Sequence, residues 1–172
     1  HVMATQHPSE QEGTYPLPEA QLDRFRLHVR VDYPKAAAEA AILKLARDRA
    51  REALTAQPLP ARILSQQQIF AARTAVLDLH LAPQLEEYLV QLVLATRDSA
   101  PYSAELKRYI AYGASPRGTI ALDRCARAHA WLAGRDYVTP EDVHAIAADA
   151  LRHRVLVSSE AEAEGSHPAR VI

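Results

Sequence analysis

Between Phe25 and Asp32 apolar and polar residues alternate without a break, Phe25, Leu27, Val29 and Val31 against Arg26, His28, Arg30 and Asp32. Such alternation predicts a strand with one buried face. From Pro34 onward the apolar spacing changes to about 3.6 residues, the helical period. A half-buried strand needs neighbours, and the only other candidate is the short apolar start, His1 to Thr5. Two strands are too few for an independent sheet. The chain therefore reads as a helical bundle joined to the edge of a sheet domain, and as a piece of a larger protein cut inside that domain.

The segment before the strand sets up its entry. Gly13 and Pro16 keep the backbone in a turn. Pro18 fits the first position of a short helix, where its missing N–H costs nothing, and Glu19 favours the positive helix end. That helix delivers Asp23 and Arg24 to a helix-to-strand corner. There Arg24 can point away from its own domain as a cationic fork, or it can pair locally with Asp23 or Glu19.

Beyond Pro34 the helix signals recur. Lys35 to Gln57 carries a stripe of Ile42, Leu45, Ala46, Arg49 and Ala53, ended by Pro58 and Pro60. Ser65 with Gln68 forms a capping-box pattern for a helix reaching Leu79. Pro83 opens another, striped by Leu85, Leu89, Leu92 and Val93 with Thr96 at its far end. Residues 99–112 are ambiguous, with one or two turns between Glu105 and Tyr112. Ser115 caps a long helix with Pro116 at its first position, ending near Gly134, and Thr139, Pro140 and Asp142 repeat that start for a helix ending near Arg154. From Ser158 the chain is acidic and reads as a flexible tail.

The 172 residues are 48% apolar with a formal charge of −1, which suits a folded protein and gives no electrostatic reason to expect nucleic acid or an anionic membrane as partner. The single cysteine, Cys125, excludes an internal disulfide. No run approaches a membrane span, and a cytoplasmic setting follows by default. The histidines have no metal-ligand spacing on one helix face, so no metal site is expected. Cys125 reads as a small buried hydrophobe, and Trp131 and Tyr137 as residues that close the bundle.

Two features touch phosphate chemistry. Gly113 and Gly118 have the spacing of a phosphate-binding loop, but Thr119 stands where the lysine must be and no strand precedes the first glycine. Arg117 lies in the first turn of a long helix, where backbone N–H groups and the helix dipole favour an anion that a guanidinium could bind bidentately. Its other reading is an ordinary exposed arginine. Arg124 and Arg135 read as a solvated face or a subunit contact.

Five blocks in order, Ala4-Thr-Gln-His-Pro8, Glu12 to Phe25, Gly113-Ala-Ser-Pro-Arg-Gly118, Gly134 to Val143, and Leu151-Arg-His-Arg154, resemble the MoxR family of AAA+ proteins over about residues 1–157. The resemblance implies a mainly α chain, a helical-bundle AAA+ lid attached to a terminal fragment of an α/β nucleotide-binding domain with one or two strands and one short helix. It divides the chain into a core fragment at 1–33, a lid at 34–157 and a tail at 158–172. It makes Arg24 the arginine finger that reaches a neighbouring subunit's nucleotide, and Arg117 the sensor-2 arginine that reaches the terminal phosphate. His7 falls at the sensor-1 position, where the family pattern has Asn. Histidine can donate one hydrogen bond but differs in reach and titrates, so either it substitutes or sensor-1 function is altered. The parent is then an ATPase using ATP and Mg, assembled as a ring homo-oligomer, a hexamer, and acting as a chaperone-like machine on a client protein complex. The Walker A and Walker B motifs are absent here, so the chain alone is expected to be inactive and to hold no tightly bound cofactor. The alternative is a non-catalytic helical protein-interaction module that keeps the family shape.

Overall fold

Pro83 and Ser115–Pro116 each start a long helix, and those two helices with a third build the core in a computed structural model that describes residues 2–5, 17–52 and 64–172. The elements in order are α1 (Glu19–Leu22), α2 (Ala36–Glu52), α3 (Gln66–Asp78), α4 (Pro83–Arg97), α5 (Ala104–Tyr109), β1 (Ile110–Tyr112), α6 (Pro116–Leu132), α7 (Pro140–Leu151), β2 (Leu156–Val157), α8 (Ser159–Ala163) and α9 (Pro168–Val171). The architecture is mainly α, as expected. Contacts group the described residues up to His28 with 76–172 and leave those within 29–75 as a second unit.

The second unit holds α2 and most of α3. The predicted capping box forms at the start of α3, with Ser65 N donating to Gln68 Oε1 at 2.8 Å and Gln68 N to Ser65 Oγ at 3.1 Å. The α2 stripe stays half exposed, Ile42 at 52% and Leu45 at 51%, and α3 buries no residue.

In the first unit α6 and α7 pack against each other and α4 lies across α6. The buried face of α6 is made of small residues, Gly118, Ala121, Ala126 and Ala130, with Leu122 as the one large side chain. Small residues allow the close approach into which Leu89 and Val93 of α4 and Val143 and Leu151 of α7 fit. Each fully buried leucine contributes about 2 kcal/mol of transfer free energy.

Both glycines of the apparent phosphate loop are packing residues. A Cβ at Gly113 would lie 2.4 Å from Thr96 O and 2.6 Å from Arg97 N, both backbone atoms. At Gly118 it would meet Ala114 Cβ at 3.1 Å and Leu151 Cδ2 at 3.2 Å. Gly113→Ala is therefore expected to destabilise the chain by about 3 kcal/mol or more, measured by denaturant unfolding. A loss below 1 kcal/mol would mean that the α4–β1 junction can open.

Three expectations are corrected. The strand expected over Phe25–Val31 does not form: Phe25 and Arg26 lie in a bend, residues 27–35 have no regular structure, and Val29 and Val31 are 61% and 90% exposed. The physical reason is the ladder, for no strand among the described residues pairs with it. The only described sheet is the antiparallel pair β1–β2. Arg135, read as solvated or at a subunit contact, instead holds the fully buried Asp142 with both Nη atoms, at 2.6 and 2.5 Å. Asp142 also accepts from Thr139 N at 2.8 Å and lies 2.7 Å from His129 Nδ1. These donors, Arg135 first, hold its carboxyl far below the usual range. Finally, residues 158–172 carry α8 and α9. Ser158 Oγ donates to Arg108 O at 2.8 Å, while Glu160 and Glu164 each lie 3.2 Å from the Arg108 guanidinium. Tyr109 donates its hydroxyl proton to Glu164, which pushes the phenol pKa up to about 12.

Candidate anion site at the start of helix α6

The site grows from two chain turns in the first unit. One is the exit of α1, where Asp23 and Arg24 form a turn before Phe25. The other is the entry of α6, where Ser115 is the N-cap with extended dihedrals and Pro116 follows. Ser115 Oγ accepts from Arg117 N at 3.2 Å, so one orphan donor of the first turn is satisfied. The same hydroxyl donates to the Asp23 carboxylate, 3.0 Å from Oδ1 and 2.9 Å from Oδ2. One cap residue thus joins the two turns.

Asp23 has two cationic neighbours of different kinds. Arg117 Nη1 donates to Oδ2 at 3.4 Å, from a side chain that is 55% exposed. Arg154, in the turn after α7, is 2% exposed and lies with Nε 3.1 Å from Oδ1, an ion pair without hydrogen-bond alignment. Its other nitrogens are occupied by backbone: Nη2 donates to Asp23 O at 2.9 Å and Phe25 O at 2.6 Å, and Nη1 to Ala150 O at 2.6 Å. Burial works against the Arg154 charge, and Asp23 compensates it.

His153 completes the inner wall, its Nε2 2.6 Å from Arg154 Nη1 and 2.9 Å from Phe25 O. A guanidinium can only donate and a carbonyl can only accept, so Nε2 serves one of these two contacts according to its tautomer. Burial, with the adjacent Arg154 charge, pushes the imidazole pKa down. Cys125 is half-buried nearby, and burial pushes its thiol up.

The residues singled out in the sequence are brought together unevenly. Arg117 is where its helix signals put it, with an exposed guanidinium in the first turn of α6. Arg24 is exposed in the α1 exit turn, and its side chain has no hydrogen-bond or ion-pair partner among the described residues. Neither local partner proposed for it is used, since Asp23 is engaged by Ser115, Arg117 and Arg154. His7 lies outside the described residues. Trp131 and Tyr137, expected to close the bundle, are 38% and 49% exposed. Sequence reading missed Asp23, Ser115 and Arg154 as a set, because their pairings span 92 and 131 residues. The one signal that pointed there was the block Leu151-Arg-His-Arg154, whose last arginine is the buried one. Among the described residues no group of three or more His, Cys, Asp or Glu side chains could hold a metal ion. No described helix is long and apolar enough to cross a membrane.

The exposed Arg117 guanidinium in the first turn of α6 can bind an anion. Gly113 and Gly118 are committed to packing, so the described residues offer an anion arginine side chains and no glycine-rich cradle.

Comparison with known proteins places these features. Residues 103–172 match the family model of the AAA lid domain, and residues 1–27 that of the ATPase family associated with various cellular activities. Chaperone MoxR1 of Mycobacterium tuberculosis is 38% identical over 172 residues, covering 99% of this chain and 44% of that protein. YeaC of Bacillus subtilis is 37% identical over 171 residues, covering 99% of this chain and 49% of its own length. Protein MoxR of Paracoccus denitrificans is 35% identical over 167 residues, covering 91% of this chain and 48% of that protein. A crystal structure of an ATPase candidate from Cytophaga hutchinsonii superposes with a TM-score of 0.87 at 38% identity, over 96% of this chain and 49% of that one. The chain thus spans about half the length of the relatives it matches.

Proposed function

Because the chain belongs to the MoxR family of AAA+ ATPases, we propose that it supplies the lid and the adjoining core portion of an ATP-hydrolysing, chaperone-like machine. The observation that carries this reading is Arg117, an exposed guanidinium in the first turn of a capped helix within the matched lid. Bound with magnesium, ATP supplies the phosphoryl group that passes to water. Arg117 binds a terminal phosphate oxygen of its own subunit's nucleotide and orients it through the lid. Arg24, on the exposed turn after α1, extends to the nucleotide of a neighbouring subunit, which requires a ring with head-to-tail contacts. Assembly as a hexamer and action on a client complex belong to the same proposal. Action on a client is supported by the likeness to a relative named as a chaperone.

Arg117→Ala in the full-length protein is expected to weaken ATP binding and to lower turnover by roughly 10²-fold, the cost of removing one donor aimed at developing charge. Titration with a fluorescent ATP analogue and a phosphate-release assay measure the two effects. Unchanged turnover would refute the role given to Arg117. The second reading, a non-catalytic interaction module, draws on His7, which stands where the family pattern has Asn. It would be favoured if the full-length protein bound ATP without hydrolysing it and His7→Asn restored turnover.

A further inference from the structure

Asp23 precedes Arg24 in sequence and meets Arg117 in space, so one carboxylate touches the supports of both arginines. Its contact with Arg117 is long, 3.4 Å, and exposed, whereas its contacts with Ser115 at 2.9 Å and with Arg154 at 3.1 Å are sheltered. An exposed pair is weak and readily exchanged for another anion. When Arg117 turns to a phosphate oxygen, Asp23 therefore keeps a cation and a hydrogen-bond donor, and no buried charge is stranded. Arg154 meanwhile grips the same turn from beneath, holding the carbonyls of Asp23 and Phe25 on either side of Arg24.

We propose that Asp23 is a positioning residue that competes with phosphate for Arg117 and, through the turn it shares with Arg24, couples nucleotide binding in one subunit to the placement of its finger toward the next. This rests on the roles given to Arg117 and Arg24 above. Arg117 has two alternative anions, Asp23 and a phosphate oxygen, and each weakens the hold of the other by the same factor. A nucleotide at Arg117 removes one of the contacts that fix the Asp23 carboxylate. The Asp23 carboxylate is then held by Arg154 and Ser115.

The test uses the full-length protein and reads binding as well as turnover. Asp23→Asn removes the competing charge and keeps an acceptor for Ser115, so ATP is expected to bind roughly 2- to 5-fold more tightly, the range for an exposed ion pair. In an Arg117→Ala background the same substitution is expected to leave ATP affinity unchanged, a difference that a merely structural role would not produce. Hydrogen exchange provides a second readout that needs no Asp23 variant. Addition of ATP is expected to speed amide exchange at Asp23–Phe25 in the parent protein and not in Arg117→Ala. If Arg117→Ala alone leaves affinity and turnover unchanged, the role of Arg117 fails and takes this proposal with it. If Arg117→Ala is impaired but Asp23→Asn shifts affinity equally in both backgrounds, or exchange at Asp23–Phe25 responds equally in both, the Arg117 role stands and the Asp23 link is overturned.

Discussion

Arg24→Ala in the full-length protein is expected to retain ATP binding and to lose about 10³-fold or more in turnover, the range where an arginine supplied across a subunit boundary neutralises transition-state charge. The structural support is the exposure of Arg24 and its lack of a side-chain partner among the described residues. On the proposed ring arrangement, binding survives because the phosphate cradle would belong to the other subunit. The decisive measurement is complementation. Arg24→Ala mixed with a subunit that lacks the cradle lysine but keeps Arg24 is expected to regain part of its activity, since one interface then holds both parts. Normal hydrolysis by Arg24→Ala would make Arg24 an ordinary surface residue and remove the main support for a ring mechanism.

Arg154→Ala is expected to destabilise this chain by about 3–5 kcal/mol, because it leaves the Asp23 carboxylate beside an unfilled hole and strips donors from the carbonyls of Asp23, Phe25 and Ala150. Arg154→Lys is expected to recover only part of the loss, since one ammonium cannot reach three carbonyls and a carboxylate in a fork geometry. Denaturant unfolding measures both, with Arg124→Ala as an exposed control expected within about 0.5 kcal/mol of the parent. A loss below 1 kcal/mol for Arg154→Ala would show that the α1 exit turn is not anchored by this side chain.

How differently neighbouring residues were legible is clearest at positions 23 and 24. The sequence marks the corner, through Pro18, Glu19 and the alternation that begins at Phe25, and both side chains look equally exposed there. Only the fold separates them. Asp23 turns toward Ser115 and Arg154, which arrive from 92 and 131 residues away, while Arg24 does not. Arg135 and Arg154 repeat the lesson, since no local periodicity distinguishes a guanidinium that will be held on a carboxylate from one that stays free in water.

The sequence alone determined α3, α4, α6 and α7. Their starts are encoded within four residues, by Ser65 with Gln68, Pro83, Ser115 with Pro116, and Thr139 with Asp142, and their stripes lie within a few turns. It also placed Arg117 in the first turn of α6, because that position follows directly from the cap. Tertiary structure decided the rest, and the reason is range. A strand exists only with a ladder partner, so the alternation at Phe25–Val31 was not sufficient, while three residues at Ile110–Tyr112 became a strand by meeting Leu156–Val157. The acidic residues after Ser158 follow a local start signal, the Ser158 hydroxyl capping Ala161 N, but nothing local says where their helix docks. They are ordered by Arg108 and Tyr109, partners about 50 residues upstream that bonding geometry, and no nearby pattern, selects.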